Sequence, residues 1–182
     1  MKAKQAKQLS KLLAFLGAIL ALVAVIMIFL PQIVSANENS DTAYNGIKLA
    51  FGATRTSADL GGIVGGSSKI TFSFMNLLAY ILVLVGLVIT VLQLVGMCKG
   101  KLATLIAAIA LIAGGVLFFF VLNFSSIATT TEVLGHSKTT TATFASYNSE
   151  NTTIWKLGYG ALVGGITAIA GGVLTLGKAV ID

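Results

Sequence analysis

The sequence predicts an all-α membrane protein: a four-helix transmembrane bundle with both termini inside and a small extracytoplasmic loop cap that could contain β-strands. Of the 182 residues, 56 % are apolar and only 10 % are charged, and the mean hydropathy is +0.95. Soluble domains carry about 25 % charged residues, and disordered chains have low hydrophobicity. The composition therefore excludes both of those classes.

Four long uncharged windows define the spans, because a helix needs about 20 mainly apolar residues to cross the hydrocarbon core. The windows are Leu12–Asn37, Ile70–Cys98, Leu102–Thr131 and Leu157–Gly177. Without their polar ends they predict spans at 12–33, 73–97, 102–124 and 157–177. The outer loops are then 35–69 and 125–156, in a single membrane domain that covers residues 1–182.

The charges predict which way the spans face. The segments before the first span, between the second and third, and after the fourth hold seven lysines and one acid, Asp182. The two outer loops hold five basic and five acidic residues, so the net charge of +6 lies on one side. Short basic segments next to spans stay cytoplasmic. The pattern predicts a multi-pass protein of the plasma membrane with both termini cytoplasmic, and it accounts for the basic pI without nucleic-acid binding.

The first span has a rival interpretation as a cleaved secretory signal peptide. Lysines precede the apolar stretch Leu12–Leu30 and Pro31 ends it. Val34-Ser35-Ala36 follows, with small residues at the two positions that a signal peptidase reads. The stretch has 19 residues, longer than the roughly 7–15 of a usual signal core. We therefore favour a retained span, whereas cleavage would leave three spans and a chain that begins at Asn37.

The fourth span separates small residues from bulky ones. At 100° per residue, its glycines and alanines fall on one arc of about 140°, opposite leucines, valines and isoleucines. In lipid, such small faces allow close backbone approach and van der Waals contact between helices. The predicted packing residues are Gly160, Gly164, Ala168 and Gly172 in the fourth span and Ala103, Ala107, Ala110 and Gly114 in the third.

The small residues of the third and fourth spans lie at similar distances from the inner ends of their spans. This match predicts that the two spans pack antiparallel. Ala107 then lies near Gly172, and Gly114 lies near Gly164. The alternative is a parallel contact between the fourth spans of two copies, which would use the same small face to build an oligomer. We favour the contact within one chain.

The second span carries the polar residues predicted to lie inside the membrane. Asn76, Tyr80, Thr90 and Gln93 share one side of the helix with Ser73. Groups of this kind most often bond between helices, but they could also form one wall of a polar pathway. No Asp, Glu, Lys, Arg or His lies inside a predicted span, which weighs against an ion-coupled transporter or pump.

The outer loops contain stretches with strand character. Tyr44–Phe51, Ile70–Phe74 and Thr139–Tyr147 are candidate strands, and the last is rich in β-branched and aromatic residues. A small antiparallel sheet shared by the two loops is one expectation, and mobile polar loops are the other. Trp155 is expected at the membrane interface, where tryptophan is enriched.

The layout of four spans, both termini inside and a longer first outer loop resembles that of claudin-like tetraspan proteins. The resemblance covers the chain in outline only. The tryptophan and paired-cysteine motif of the family's first loop is missing, since the only Trp is Trp155 and the only Cys is Cys98. The resemblance therefore implies an architecture, without a disulfide-pinned loop or an adhesion role.

The sequence provides no constellation for catalysis or for binding a metal or cofactor. His136 stands alone in a polar loop, and a site needs convergent partners. We therefore expect no enzyme, no cofactor and no metal. The first functional hypothesis is a structural or scaffolding protein of the lipid bilayer that associates laterally, with itself or with another membrane protein, through small-residue helix faces. The alternatives are a pore lined by the second span and an accessory subunit of a membrane complex.

Overall fold

Four helices that are long and apolar enough to cross a membrane form the body of the molecule. The computed structural model describes residues 3–36, 42–57, 64–98, 100–133, 136–150 and 155–181. In these ranges the spanning helices are α1 (Ala3–Met27), α3 (Phe74–Leu94), α4 (Lys101–Phe119) and α7 (Tyr159–Ile181). The prediction of a helical protein with several helices able to span a membrane is confirmed.

Ten shorter elements connect the long helices within the described ranges. The short helices are α2 (Gly46–Phe51), α5 (Val121–Phe124) and α6 (Phe144–Glu150). The strands are β1 (Pro31–Ser35), β2 (Ala43–Asn45), β3 (Ala53–Ser57), β4 (Val64–Ile70), β5 (Ser126–Val133), β6 (His136–Thr143) and β7 (Trp155–Leu157).

The long helices pack as a ring. α7 lies between α1 and α4, and α3 lies between α4 and α1, so that α3 and α7 are diagonal neighbours that touch at few points. At one end, which we call the sheet end, α1 and α4 finish and α3 and α7 begin next to the strands. The opposite end, the lysine end, carries the start of α1, the turn between α3 and α4, and the last turn of α7.

Pro31 explains why α1 ends at Met27 and not at the predicted residue 33. A proline ring clashes with the carbonyl of the residue four positions earlier, which is Met27. The freed Met27 oxygen accepts hydrogen bonds from Leu30 N–H at 3.1 Å and Gln32 Nε2 at 2.7 Å. The apolar character of Ile33 belongs to a strand, because this fully buried side chain lies in the core of the cap.

The other three long helices also differ from the predicted spans by a few residues. Ser73 is the N-cap of α3, and its Oγ accepts a hydrogen bond from Asn76 N–H. The third predicted span breaks at Phe120, where α4 gives way to α5. The fourth begins later than residue 157, because Leu157 belongs to β7, and it continues to Ile181.

Two antiparallel sheets form the cap. The first has the strand order β2-β1-β7, which places β1 in the centre, and the second has the order β3-β4-β5-β6. β4 pairs with β5 from Ile70↔Ile127 to Val64↔Val133. Because β4 precedes α3 and β5 follows α4, the second sheet joins the two outer loops, as one of the two expectations for these loops predicted.

The strand boundaries predicted within the loops are wrong in part. Residues 46–51 form α2, whose N-cap Asn45 accepts a hydrogen bond from Lys48 N–H through its side chain at 3.0 Å. Phe74 already belongs to α3, and residues 144–147 belong to α6. In each case a capped helix replaces the end of the predicted strand, and local propensity does not distinguish the two over so few residues.

An aromatic cluster forms the centre of the cap. The ring centroids of Phe144 and Trp155 lie 5.0 Å apart, edge to face, and Tyr44 lies 5.6 Å from Trp155. Trp155 is only 7 % exposed. The expectation that it anchors the protein at the membrane interface is therefore wrong, because its ring packs against these two aromatic residues.

Candidate functional site

The small residues of α7 lie against both of its neighbours. On the α4 side, a Cβ built on Gly172 would lie 2.6 Å from Ile112 Cγ1 and 2.9 Å from the Ala108 carbonyl oxygen. A Cβ on Gly165 would lie 3.0 Å from the Gly115 carbonyl oxygen. Real Cβ atoms essentially never approach other atoms as closely as 2.6–2.9 Å, so the separation of α4 and α7 at Gly172 requires glycine.

The opposite side of α7 approaches α1 in the same way. A Cβ on Gly171 would lie 3.1 Å from the Gly17 carbonyl oxygen, and one on Gly164 would lie 3.1 Å from Met27 Cβ. At the sheet end, a Cβ on Gly160 would lie 2.7 Å from the Pro31 carbonyl oxygen. The predicted single small face of the fourth span is thus divided between two helices.

α4 and α7 run antiparallel, in a register one residue away from the predicted one. Gly172 contacts Ala108 where Ala107 was predicted, and Gly115 faces Gly165 where Gly114 was predicted to face Gly164. The reason is that α4 also packs on α3. A Cβ on Gly114 would lie 2.6 Å from Val83 Cγ2 on α3, so Gly114 belongs to that second contact.

The remaining predicted packing residues are also inside the bundle or at its margin. Ala107 and Ala168 are fully buried, Ala110 is buried, and Ala103 is half-buried. Ala168 Cβ lies 3.0 Å from the position of a Cβ on Gly115. The small faces of α4 and α7 are therefore covered by this chain's own helices.

The polar residues of α3 fall into two groups. At the sheet end, Asn76 Nδ2 donates to Ser125 Oγ at 2.7 Å, and Ser73 Oγ donates to the Phe124 carbonyl oxygen at 2.9 Å. Asn76 and Ser125 are both buried. These bonds tie the start of α3 to the chain that follows α4, which is the behaviour expected of polar groups that bond between helices.

The second group lies at the lysine end. Thr90 Oγ1 donates to the carbonyl oxygen of Gly86 in its own helix at 2.7 Å. Gln93 Oε1 accepts a hydrogen bond from Lys178 Nζ at 2.9 Å. Lys178 was not among the residues singled out from the sequence, although it lies three and seven residues after Thr175 and Gly171, on the same face of α7.

An apolar layer separates the two polar groups. Val83, Leu111 and Phe118 are almost completely buried there, and the rings of Phe118 and Tyr80 lie 5.4 Å apart. The Tyr80 hydroxyl is buried, and no hydrogen-bond partner for it is found among the described residues. Among the described residues, the polar side chains of α3 therefore do not form a connected path along the helix. These side chains are Asn76, Tyr80, Thr90 and Gln93.

The strand β6 lies at one edge of the second sheet. We use the name outer edge for the side of β6 that faces away from β5. Residues 136–141 are all exposed, and the pairing of β6 with β5 runs without a bulge from Ser126↔Thr143 to Val133↔His136. His136 therefore lies on an exposed strand, and within the described residues no group of His, Cys, Asp and Glu could hold a metal ion.

The cap also contains a cavity of about 300 Å³ between the two sheets. Its polar lining consists of hydroxyl groups and one lysine, from Thr42, Tyr44, Lys48, Thr54 and Ser68. This volume is at the lower limit for ligand pockets. Within the lining, Lys48 is the only group that is charged at neutral pH.

Comparisons with known proteins do not identify a relative. No family model matches the chain, and neither a curated protein nor a solved structure matches it. The claudin-like layout stays a prediction about architecture, and the function is argued from the geometry described above.

Proposed function

We propose that this chain is a non-enzymatic structural or scaffolding protein of the plasma membrane that associates with a second membrane-anchored chain, its own copy or another protein, through the outer edge. The observation that carries the proposal is the exposed, uninterrupted strand β6. The sheet end is the extracytoplasmic side in this proposal, and both termini are cytoplasmic. Support for that orientation comes from the lysines, which gather at the other end.

The small-residue faces are poor candidates for lateral association. Their glycines are already in contact with α1, α3 and α4, and a second helix could reach them only by displacing one of these. What α7 leaves for lipid or a partner is its bulky side, where Ile166 and Val173 are more than half exposed. Bulky apolar side chains in lipid provide little drive for association.

Among the residues that the structure describes, the outward backbone groups of the outer edge at Thr139 and Thr141 have no hydrogen-bond partner. Phe144 N–H donates to the Ser125 carbonyl oxygen at 3.1 Å, in the register of the β5–β6 ladder. Hydrogen-bonded pairs recur at every second residue in an antiparallel ladder. Thr140 and Ala142 therefore bond to β5, and the N–H groups of Thr139 and Thr141 point away from it.

Edge strands of this kind readily pair with another chain. Natural sheets protect their edges with proline, bulges or charged residues. Within the described part of β6, Lys138 is the one lysine, and proline and bulges are absent. The edge is thus weakly protected, which supports a role in strand pairing.

A pore fits the geometry less well, and an accessory subunit is the case of this proposal in which the partner is a different protein. A pore needs a continuous path for water or ions, and the layer of Val83, Leu111 and Phe118 interrupts the polar groups of α3. An accessory subunit would use the outer edge on a different protein. The mass of the assembly distinguishes this case from self-association.

Thr141→Pro tests the proposed interface. Proline removes the outward N–H of residue 141 but leaves the neighbouring bonds to β5, and prolines are tolerated on edge strands. The matched control is Thr141→Val, which keeps the backbone donor. We expect assemblies of the wild-type chain and of Thr141→Val in detergent or nanodiscs, measured by mass, and a Thr141→Pro protein that is equally stable but does not assemble.

Two results would contradict the proposal. One is a Thr141→Pro protein that assembles as well as the wild type. The other is a wild-type chain that is strictly monomeric in native membranes and captures no second membrane protein by cross-linking.

A further inference from the structure

Lys178 and Gln93 meet across the diagonal of the bundle at its lysine end. Lys178 lies in the last turn of α7 and Gln93 in the last turn of α3, and these helices touch at few other points. The hydrogen bond from Lys178 Nζ to Gln93 Oε1 is 2.9 Å long and partly buried. A lysine side chain is thus directed inward, between helices, whereas Lys7, Lys11 and Lys101 at the same end are exposed.

This contact has more donors than acceptors. Gln93 Nε2 is buried, and no partner for it is found among the described residues. A lysine ammonium group has three hydrogens, and Gln93 Oε1 accepts one of them. Exchanging the amide oxygen and nitrogen of Gln93 would bring two donors together, so a flip of the amide does not remove the excess.

The buried threonine hydroxyls of these helices form no hydrogen bond with this pair among the described residues. Thr90 Oγ1, Thr104 Oγ1 and Thr175 Oγ1 each donate to a carbonyl oxygen of the residue four positions earlier, Gly86, Gly100 and Gly171. Within the described residues, the bond between Lys178 Nζ and Gln93 Oε1 is therefore the only one that this pair makes, and Gln93 Nε2 is left without an acceptor. Buried donors without acceptors are costly.

We propose that Lys178 and Gln93 form a binding site for a phosphate group, with Lys178 Nζ and Gln93 Nε2 both donating to its oxygens. In a membrane the nearest source is the headgroup of an anionic phospholipid, since basic sites between helices on the cytoplasmic side bind such headgroups. Charge-assisted hydrogen bonds to phosphate are short and strong. Lys11 and Lys101 add positive charge at the same end.

Thermal unfolding of the full chain in neutral detergent tests the site. Phosphatidylglycerol should raise the unfolding midpoint, and phosphatidylcholine, which has no net charge, should not. Lys178→Gln and Gln93→Leu should each raise the half-saturating concentration of phosphatidylglycerol about ten-fold, the loss of one charge-assisted bond. Lys101→Gln is the matched control, because it removes the same charge from an exposed lysine at the same end.

The outcomes separate the site from general attraction and from a purely structural contact. An unchanged response to phosphatidylglycerol in either Lys178→Gln or Gln93→Leu would overturn the proposal, as would an equal loss in Lys101→Gln. Inorganic phosphate that reproduces the shift would support the site and identify free phosphate as its ligand. Asp182 lies outside the described residues; if Asp182→Asn lowers the lipid-free midpoint as much as Lys178→Gln, that carboxylate supplies the acceptor and the proposal fails.

Discussion

At the scale of single residues, glycines determine how closely the helices approach one another. Gly172 allows α7 to touch the backbone of α4 at Ala108, and Gly171 allows it to touch α1 at Gly17. In lipid this contact matters more than in water, because apolar surface alone gives helices little reason to associate. A methyl group at Gly172 would have to push α4 and α7 apart, whereas one at Gly171 would need its neighbours to move by a few tenths of an ångström.

Gly172→Ala and Gly177→Ala form a matched pair for testing this packing. A Cβ on Gly172 would lie 2.6 Å from Ile112 Cγ1, whereas one on Gly177 would meet only Leu13 Cδ1 at 3.7 Å. We expect Gly172→Ala to lower the free energy of unfolding by about 1–3 kcal/mol through overpacking. Gly177→Ala should leave it unchanged or raise it by up to about 1 kcal/mol, because alanine favours helix. Unfolding in mixed micelles measures both, and equal effects would contradict the packing described here.

The sequence was sufficient to identify which residues of α7 are buried but not which neighbour each one contacts. Gly160, Gly164, Ala168 and Gly172 all lie inside the bundle. The predicted register between α4 and α7 differs from the observed one by one residue. The reason is that α4 has two adjacent small residues at each contact, at 107–108 and 114–115. Helical periodicity shows that the small residues of α7 share one side of the helix. It does not show that this side is divided between two neighbours, α1 and α4.

At the scale of elements, the segment 28–35 connects the membrane helix to the cap. Pro31 ends the helical pattern, Gln32 caps Met27, and Ile33 enters the core of the cap. Hydropathy predicted this segment as membrane-spanning, because a buried strand and a span are equally apolar. Pairing of β1 with β2 and, near the other end of the chain, with β7 decides the difference, and hydropathy does not reveal this pairing.

The packing of α1 and β1 predicts that residues 1–36 are retained after membrane insertion. The alanines of α1 that face the bundle, Ala14, Ala18, Ala21 and Ala24, are all buried, and β1 is the central strand of its sheet. Cleavage after Ala36 would remove both. We expect mass spectrometry of the membrane-purified chain to find peptides from Leu12–Leu30, whereas a mature chain that begins at Asn37 would refute retention.

At the scale of the whole molecule, the fold combines a closely packed helical bundle with a cap built from both long connections between the helices. The number of spans and the existence of a shared sheet could be predicted, because the first depends on composition and the second on local strand propensity. The order of the helices around the ring could not be predicted, since it depends on side-chain shape at every contact. The link between Lys178 and Gln93 was missed for the same reason, because these residues are 85 positions apart.

The proposed orientation predicts opposite labelling of the two ends of the molecule. Cys98 is the single cysteine and follows α3 at the lysine end. Ser137 is exposed on β6 at the sheet end. In intact cells a membrane-impermeant maleimide should label Ser137→Cys, made in a Cys98→Ser background, and should label native Cys98 only after the membrane is opened. The reverse pattern would place the cap in the cytoplasm.

The pairing of β4 with β5 has a mechanical consequence. It ties the start of α3 to the end of α4 through a ladder of seven residue pairs, while a short turn joins the same two helices at their other ends. The pair α3 and α4 is thus joined at both ends, by the covalent chain at the turn and by backbone hydrogen bonds between β4 and β5. A lateral force on β6 is transmitted through β5 and β4 to both α3 and α4. Two membrane helices therefore resist the force together.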